Sequence, residues 1–415
     1  MRIAIIGSGI SGLAAGWYLS RKHKVSLFEK EPRLGGHTNT VMVESGGDSI
    51  PVDTGFIVHN DRTYPNFVRL LAELGVETQP SDMSFSVSCR QTGFEYSSRG
   101  INGFFAQRAN LLRPEHYVLL AEILRFNRTV PKLLDQPGAE TATIGDVIDE
   151  GRYHEVFTDL YLFPMASAVW SMPLDAIRSF PAFTLLRFFH NHGMLGINTH
   201  PKWKVIRGGS HKYIPLLTAP FKERIFLDAR IASVSRHENG VAVRFENHPE
   251  MAFDQVVFAC HGDQVLPLLE QPTDAERDVL GSFKTSSNVA TLHTDSSLLP
   301  SRPAAQASWN YNLGLSGKGA VAVTYHMNRL QSLRTTEDYC VTLNGEDAID
   351  GAKVLRKIVY HHPLYTQEAV RAQRRWIEIS GRNRTHYCGA YWFYGFHEDG
   401  LNSALRVARA LSVEC

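Results

Sequence analysis

The sequence predicts an α/β chain in which one domain is assembled from three separated segments and an α+β domain is inserted between them. Three observations predict it. Residues 2–29 read as strand, glycine turn, helix and second strand. Residues 81–201 change character, to long amphipathic helical patterns rich in Phe and Arg. Alternating strand patterns and glycine turns come back at 202–275 and again at 375–415, leaving 276–374 as the second half of the insertion. The predicted boundaries are therefore 1–80, 202–275 and 375–415 for the first domain, and 81–201 with 276–374 for the second.

The opening unit is read from its residues. Arg2-Ile3-Ala4-Ile5-Ile6 is a short apolar run rich in β-branched residues, the pattern of a buried strand. It ends at Gly7-Ser8-Gly9-Ile10-Ser11-Gly12, a G-x-G-x-x-G, and helix-forming sequence follows to residue 21. Val25-Ser26-Leu27-Phe28 reads as a second strand that ends on Glu29, an acid about twenty residues past the glycines. Gly7 permits the tight turn, Gly9 lets backbone approach a pyrophosphate, and Gly12 lets helix and strand pack closely. Ser11 lies in the first turn of the helix, whose unpaired N–H groups and dipole favour an anion. Glu29 is placed to accept a hydrogen bond from a ribose. This is a Rossmann-like dinucleotide site.

The next residues choose the dinucleotide. Arg33-Leu34-Gly35-Gly36 follows the acid at once, and it resembles the R-x-G-G signature of the flavin-containing amine oxidase and phytoene-desaturase superfamily. That resemblance implies a non-covalent FAD on a fold of the glutathione-reductase and amine-oxidase type. It implies that Arg33, Gly35, Gly36 and the following His37 and Thr38 lie along the diphosphate and ribityl chain. The family commonly has Arg where this chain has His37, a departure that weakens one phosphate contact. Asp53-Thr54-Gly55-Phe56 resembles the family's D-x-G segment, which puts Gly55 and Phe56 beside the isoalloxazine ring.

Further segments carry the same resemblance. Gly208-Gly209-Ser210 and a helix to Leu217 resemble the family's return to the flavin domain. Residues 225–245 alternate, turn at Asn239-Gly240 and alternate again, which is a hairpin; the family's adenine-stacking position falls on Ile231. "FDQVVFACHGD" matches the strand that closes this half, and strands are expected near 289–292 and 320–325. At the end, Cys388-Gly389-Ala390 resembles the strand-end glycine beside the ribityl phosphate. Asp399-Gly400-Leu401 opens a helix to Leu411 whose N-terminus the family directs at the flavin, where reduction leaves negative charge. Relatives place Glu after the glycine pair. Here that position is Ala390, so the contact is expected to pass to Glu398.

Composition bounds the rest. The 415 residues are 43% hydrophobic and 20% charged with a net charge of +1, ordinary globular values that argue against nucleic acid as a partner. Cys89, Cys260, Cys340, Cys388 and Cys415 form no C-x-x-C, which fits a reduced, cytoplasmic protein. The chain enters a strand directly, so no signal peptide is expected, and no uncharged apolar run reaches about eighteen residues. No metal site is expected.

The substrate is read from the lining. A flavin takes a hydride at N5, so the protein must present a C–H bond and settle a proton. Tyr391, Trp392, Phe393 and Tyr394, with Trp309, Tyr311 and Tyr325, could cage an amine, but acids to pair with one are sparse. The segments "SWNY", "TYHMNRLQ" and "GFHEDGLNSA" resemble a bacterial branch of the superfamily that desaturates methyl-branched fatty acyl chains in furan fatty acid synthesis. That resemblance implies a phospholipid acyl substrate, produced by a neighbouring cyclopropane-synthase-like methyltransferase and oxidised to a conjugated diene. His326, as base, and Tyr325 beside it on the same strand are the candidate catalytic residues. The electron acceptor is open, with O2 among the candidates. The apolar, arginine-rich stretch 104–134 and the stretch 180–196 read as interfacial helices, giving peripheral contact with the inner membrane. Alternatives on the same scaffold are an amine oxidase, a carotenoid- or squalene-type oxidoreductase, and a non-enzymatic FAD-binding redox partner.

Overall fold

The structure is a computed structural model that describes residues 1–89, 91–135, 141–170, 174–196, 201–314 and 322–414. Its centre is a five-stranded parallel sheet in the spatial order 225–226, 24–28, 2–6, 255–258, 385–387. Ile3 pairs with Val25 on one side and with Gln255 on the other. Strand Arg2–Ile6 is buried along both faces, with Ile3, Ala4 and Ile5 sealed from solvent, which is why its sequence is a continuous apolar run and not an alternation. Parallel neighbours require crossovers, and the chain leaves this sheet twice before its last strand, Thr385–Tyr387, completes it.

Helix Ile10–Leu19 crosses from the first strand to the second and is almost entirely buried. Its glycines make the packing close. A Cβ at Gly12 would fall 1.9 Å from the Gly7 carbonyl oxygen, and one at Gly16 would fall 2.5 Å from the Phe221 ring. The last helix, His397–Ala410, packs against it. The predicted hairpin forms from Ile231–His237 and Gly240–Phe245, and Met251–Phe253 adds a third strand.

A second sheet has seven strands, ordered 354–364, 284–293, 340–343, 322–326, 309–313, 85–89, 94–97. All pairs are antiparallel except Trp309–Leu313 with Phe85–Cys89. The expected strands near 289–292 and 320–325 lie within Lys284–His293 and Ala322–His326; positions 320 and 321 fall outside the described residues. The stretch 81–201, mainly helical as expected, also holds Phe85–Cys89 and Phe94–Ser97, which form a hairpin on the edge of this sheet. Above the sheet lie Pro114–Leu134, the run from Glu155 to Trp170 with a π turn at Thr158–Leu162, and Ala182–Asn191. One apolar cluster surrounds the parallel sheet and another lies between the seven strands and these helices. Among the described residues, no helix is long and apolar enough to cross a membrane, and Cys89, Cys260, Cys340 and Cys388 are free thiols.

Candidate active site

Where strand Arg2–Ile6 gives way to helix Ile10–Leu19, two glycine turns meet. Gly7 has φ +102°, and its missing side chain leaves room for the backbone of Ala259 and Cys260. Gly36, at φ +57°, lies against Gly9: a Cβ there would be 3.1 Å from the Gly9 Cα, while a Cβ on Gly9 itself would meet nothing. Gly35 N–H donates to Ser8 O at 3.0 Å and Ser8 Oγ at 3.2 Å, tying the two turns together. No side chain caps the first turn of the helix, and Ile10 and Ser11 face open space. An uncapped helix N-terminus beside bare glycine backbone fits a dinucleotide diphosphate. Gly12 is one layer back, holding the helix to the strand.

Glu29 steadies this cradle. One carboxylate oxygen accepts from Ser8 N at 2.9 Å and Ser8 Oγ at 2.6 Å, and the other from Glu31 N at 3.0 Å. A carboxylate has about four acceptor sites, so capacity remains for a ribose hydroxyl. Arg33 spends its guanidinium on backbone carbonyls, chiefly Gly36 O at 2.9 Å, and thereby clamps the turn. Ile231 stands on the cavity wall at the start of its hairpin strand.

His37 leads into a group of rings absent from the sequence reading. It stacks on Tyr360 with centroids 5.0 Å apart, and His362 and His261 lie at 5.3 and 5.9 Å. Its Nε2 is buried without a hydrogen-bond partner. Burial, then the neighbouring His362 and His261, hold His37 well below the usual histidine range; burial takes His362 down to about 4. The Tyr360 hydroxyl bonds Asn39 Nδ2 at 3.0 Å and Thr54 Oγ1 at 2.9 Å. Tyr360 and His362 are two apart on strand Val354–Leu364, so they share one face; alternation in "IVYHHPL" was the available signal.

Phe56 stacks face to face on His397, centroids 3.6 Å apart. His397 Nε2 bonds Tyr213 Oη at 2.8 Å and Thr38 Oγ1 at 3.1 Å, and the two hydroxyls bond each other. Burial lowers His397 to about 3, so it is neutral. Thr38 is thus buried behind the wall as a partner of His397, while Gly55 and Phe56 are on it.

The start of the last helix departs from expectation. Glu398 turns away from the large cavity and caps another helix, Pro65–Glu73, accepting from Asn66 N at 3.0 Å and Phe67 N at 2.8 Å. Those unpaired N–H groups compete for the carboxylate, and an acid there would repel a phosphate, so the contact expected to pass to Glu398 does not form. Asp399 accepts from Phe396 N at 2.9 Å, and burial raises it to about 7. Both acids line a separate cavity of about 580 Å³. Gly400 makes the close approach to the first helix, since a Cβ would fall 2.6 Å from Ile10 Cγ2, and Leu401 is fully buried core. Gly389 is on the large cavity's wall, its N–H donating to Ser403 Oγ at 2.8 Å.

That large cavity measures about 1590 Å³ and joins the cradle to a second limb. The limb is walled by Phe104, Phe105, Leu120, Ile123, Leu124 and Met165. Trp309 and Tyr325 also line this cavity, edge to face at 5.0 Å. Burial pushes the Tyr325 hydroxyl above its ordinary range, leaving it a protonated donor. His326 does not share the wall. Successive strand residues point to opposite faces, and His326 bonds Asp338 Oδ1 at 2.9 Å through Nε2 on the far side. Its position does not serve a catalytic base. Of the other aromatics singled out, Tyr391 and Tyr394 reach the wall, whereas Trp392 packs on Phe283 and Tyr311 is core. The acids on the wall, Glu29, Glu31, Glu246 and Asp263, belong to the loops and strand ends around the cradle; among the described residues the apolar limb has none. Among the described residues no group of His, Cys, Asp and Glu could hold a metal ion.

Comparison with known proteins agrees with this geometry. Residues 10–348 match the family described as flavin containing amine oxidoreductase. An uncharacterized protein of Methanocaldococcus jannaschii is 50% identical over 44 residues, which is 11% of this chain and 11% of that relative, so the match spans about a tenth of its length. Wild-type putrescine oxidase bound to putrescine superposes with a TM-score of 0.73 at 14% identity, covering 99% of both chains. A fatty acid isomerase from P. acnes that produces CLA gives 0.71 at 16% identity over 98% of both. At such identities the likeness is one of fold.

Proposed function

Since the chain belongs to the flavin-containing amine oxidoreductase family and FAD is its cofactor, we propose that this oxidoreductase acts on an acyl chain. The finer reading is dehydrogenation of a methyl-branched unsaturated fatty acyl group of a phospholipid to a conjugated diene. The observation that carries it is the apolar limb, which no carboxylate of the described residues enters. An ammonium substrate lodged there would lose its hydration and find no partner, a costly exchange, whereas an acyl chain loses only unfavourable contact with water. A fatty acid isomerase sharing the fold supports the same reading.

FAD supplies the two-electron acceptor. The chain's own residues do the rest. The limb orients the acyl group and excludes water, with the Trp309–Tyr325 pair on the wall of the same cavity. An allylic C–H is the bond to present there, because the adjacent double bond spreads developing positive charge. Burial holds the tyrosines of the wall protonated and its histidines, His37 and His362 among them, neutral. A cyclopropane-synthase-like methyltransferase would supply the branched chain, and the terminal electron acceptor is open, with O2 among the candidates. Lipid analysis of cells with and without the gene tests the reading: diene-bearing acyl chains should vanish on deletion, and an unchanged lipid profile would overturn it.

A second reading, an amine oxidase, draws on the perpendicular Trp309–Tyr325 pair, which offers a ring face to a cation. Release of hydrogen peroxide on adding polyamines would select it.

A further inference from the structure

We infer that the segment around the mouth of the apolar limb, residues 99–120, docks on an anionic lipid bilayer and delivers the acyl chain from it; this rests on the acyl-chain reading above. Ile101 and Leu120 are each both exposed to solvent and part of the cavity wall, so the limb opens between them. Ile101 is 81% exposed, on the short helix Gly100–Phe104. Beside it the turn Arg108–Leu112 presents Leu112 at 88% and Leu111 at 46%, and the next helix presents Tyr117. Single exposed aliphatic side chains are ordinary, but here three of them and a tyrosine gather in one short segment at the opening.

Charge selects the occupant. Arg99, Arg108 and Arg113 are exposed around the patch, against one exposed acid, Glu115. The guanidiniums of Arg99 and Arg108 bond only neutral oxygens, those of Gln306, Phe105 and Asn102, and so keep their charge unpaired. Apolar side chains ringed by such cations match the boundary between acyl chains and anionic headgroups. A second protein surface would need acids set to meet those arginines. The bilayer also answers a requirement of the site: each methylene drawn through water is costly, and a mouth seated in the membrane avoids that transfer. The polar end of the cavity, where Lys30 and Glu31 are exposed, is a separate opening suited to a nucleotide.

The test uses the FAD-loaded protein and vesicles of phosphatidylglycerol and phosphatidylethanolamine, with pure phosphatidylcholine vesicles as control. Neither Leu111 nor Leu112 lines the cavity, so Leu111→Asp with Leu112→Asp should weaken co-sedimentation at least tenfold while circular dichroism and flavin content stay unchanged. Arg113→Glu should weaken it separately and lessen its salt dependence. Turnover of detergent-dispersed lipid should be the same in all three proteins. No sedimentation of the wild type with anionic vesicles, undiminished sedimentation of the leucine variant, or a dimer in solution that this variant dissolves would each overturn docking. If docking fails while dispersed lipid is still oxidised, the acyl-chain reading stands. If vesicles are bound and no lipid is oxidised in either form, that reading falls and the surface remains.

Discussion

At position 12 a single methyl group decides whether the cradle can exist. The Cβ of Gly12→Ala would lie 1.9 Å from the Gly7 carbonyl oxygen, a clash of backbone with side chain that no rotamer relieves. Purified Gly12→Ala should therefore carry little flavin by its ratio of visible to 280 nm absorbance; full loading would contradict the packing described. His326 makes the opposite case. It lies behind the sheet with Asp338, so His326→Ala should keep turnover within about twofold of wild type, and a loss of a hundredfold or more, the scale of a general base, would restore it to the mechanism. The glycines were legible in the sequence because their requirement is local, a matter of φ and Cβ clearance. His326 was misread because polarity alone does not say which face of a strand a residue takes. The rings around His37 were not legible at all, because they assemble only when strand Val354–Leu364 arrives from more than three hundred residues away.

Among the elements, helix Pro65–Glu73 has its first turn capped by a residue 332 positions distant. The Glu398 carboxylate serves two backbone N–H groups and the Asn66 amide there. Glu398→Ala leaves the Asn66 and Phe67 N–H groups without their acceptor, while the Asn66 amide keeps Asn402 Oδ1, and should cost about 1–3 kcal/mol. A calorimetric melting point lowered by several degrees, with flavin content held at low temperature, checks this; loss of flavin at unchanged melting point would instead return Glu398 to the cofactor. The final helix was expected from Asp399-Gly400-Leu401, and it forms, starting at His397. What its acids do was hidden, since capping of one helix by another has no sequence spacing to read. The hairpin 85–97 was passed over for a related reason. Ser86 and Ser88 alternate with Phe85 and Val87 and bond Asn310 and Asn312 on a neighbouring strand, so its polar face is buried where a surface strand would show it to water.

Taken whole, the molecule buries several neutral histidines. Burial lowers His59, His192, His293 and His386 to about 4 and His397 to about 3. In the unfolded chain each titrates near 6.5, so below that pH the unfolded state binds more protons and stability falls until the folded values are reached. Asp53, raised to about 6, and Asp399, raised to about 7, act the other way, since the folded state holds their protons more tightly as pH falls. The histidines outnumber them. Each net proton is worth about 1.4 kcal/mol per pH unit, so the urea midpoint of the holoenzyme should drop steeply between pH 6.5 and 4. A midpoint flat from pH 7 to 5 would contradict the burial of these rings.

The most direct measurement is anaerobic titration of the FAD-loaded protein while following flavin absorbance near 450 nm. A methyl-branched unsaturated phospholipid should bleach the flavin stoichiometrically and emerge as a conjugated diene. Bleaching by an amine, with the lipid leaving the spectrum untouched, would contradict the account.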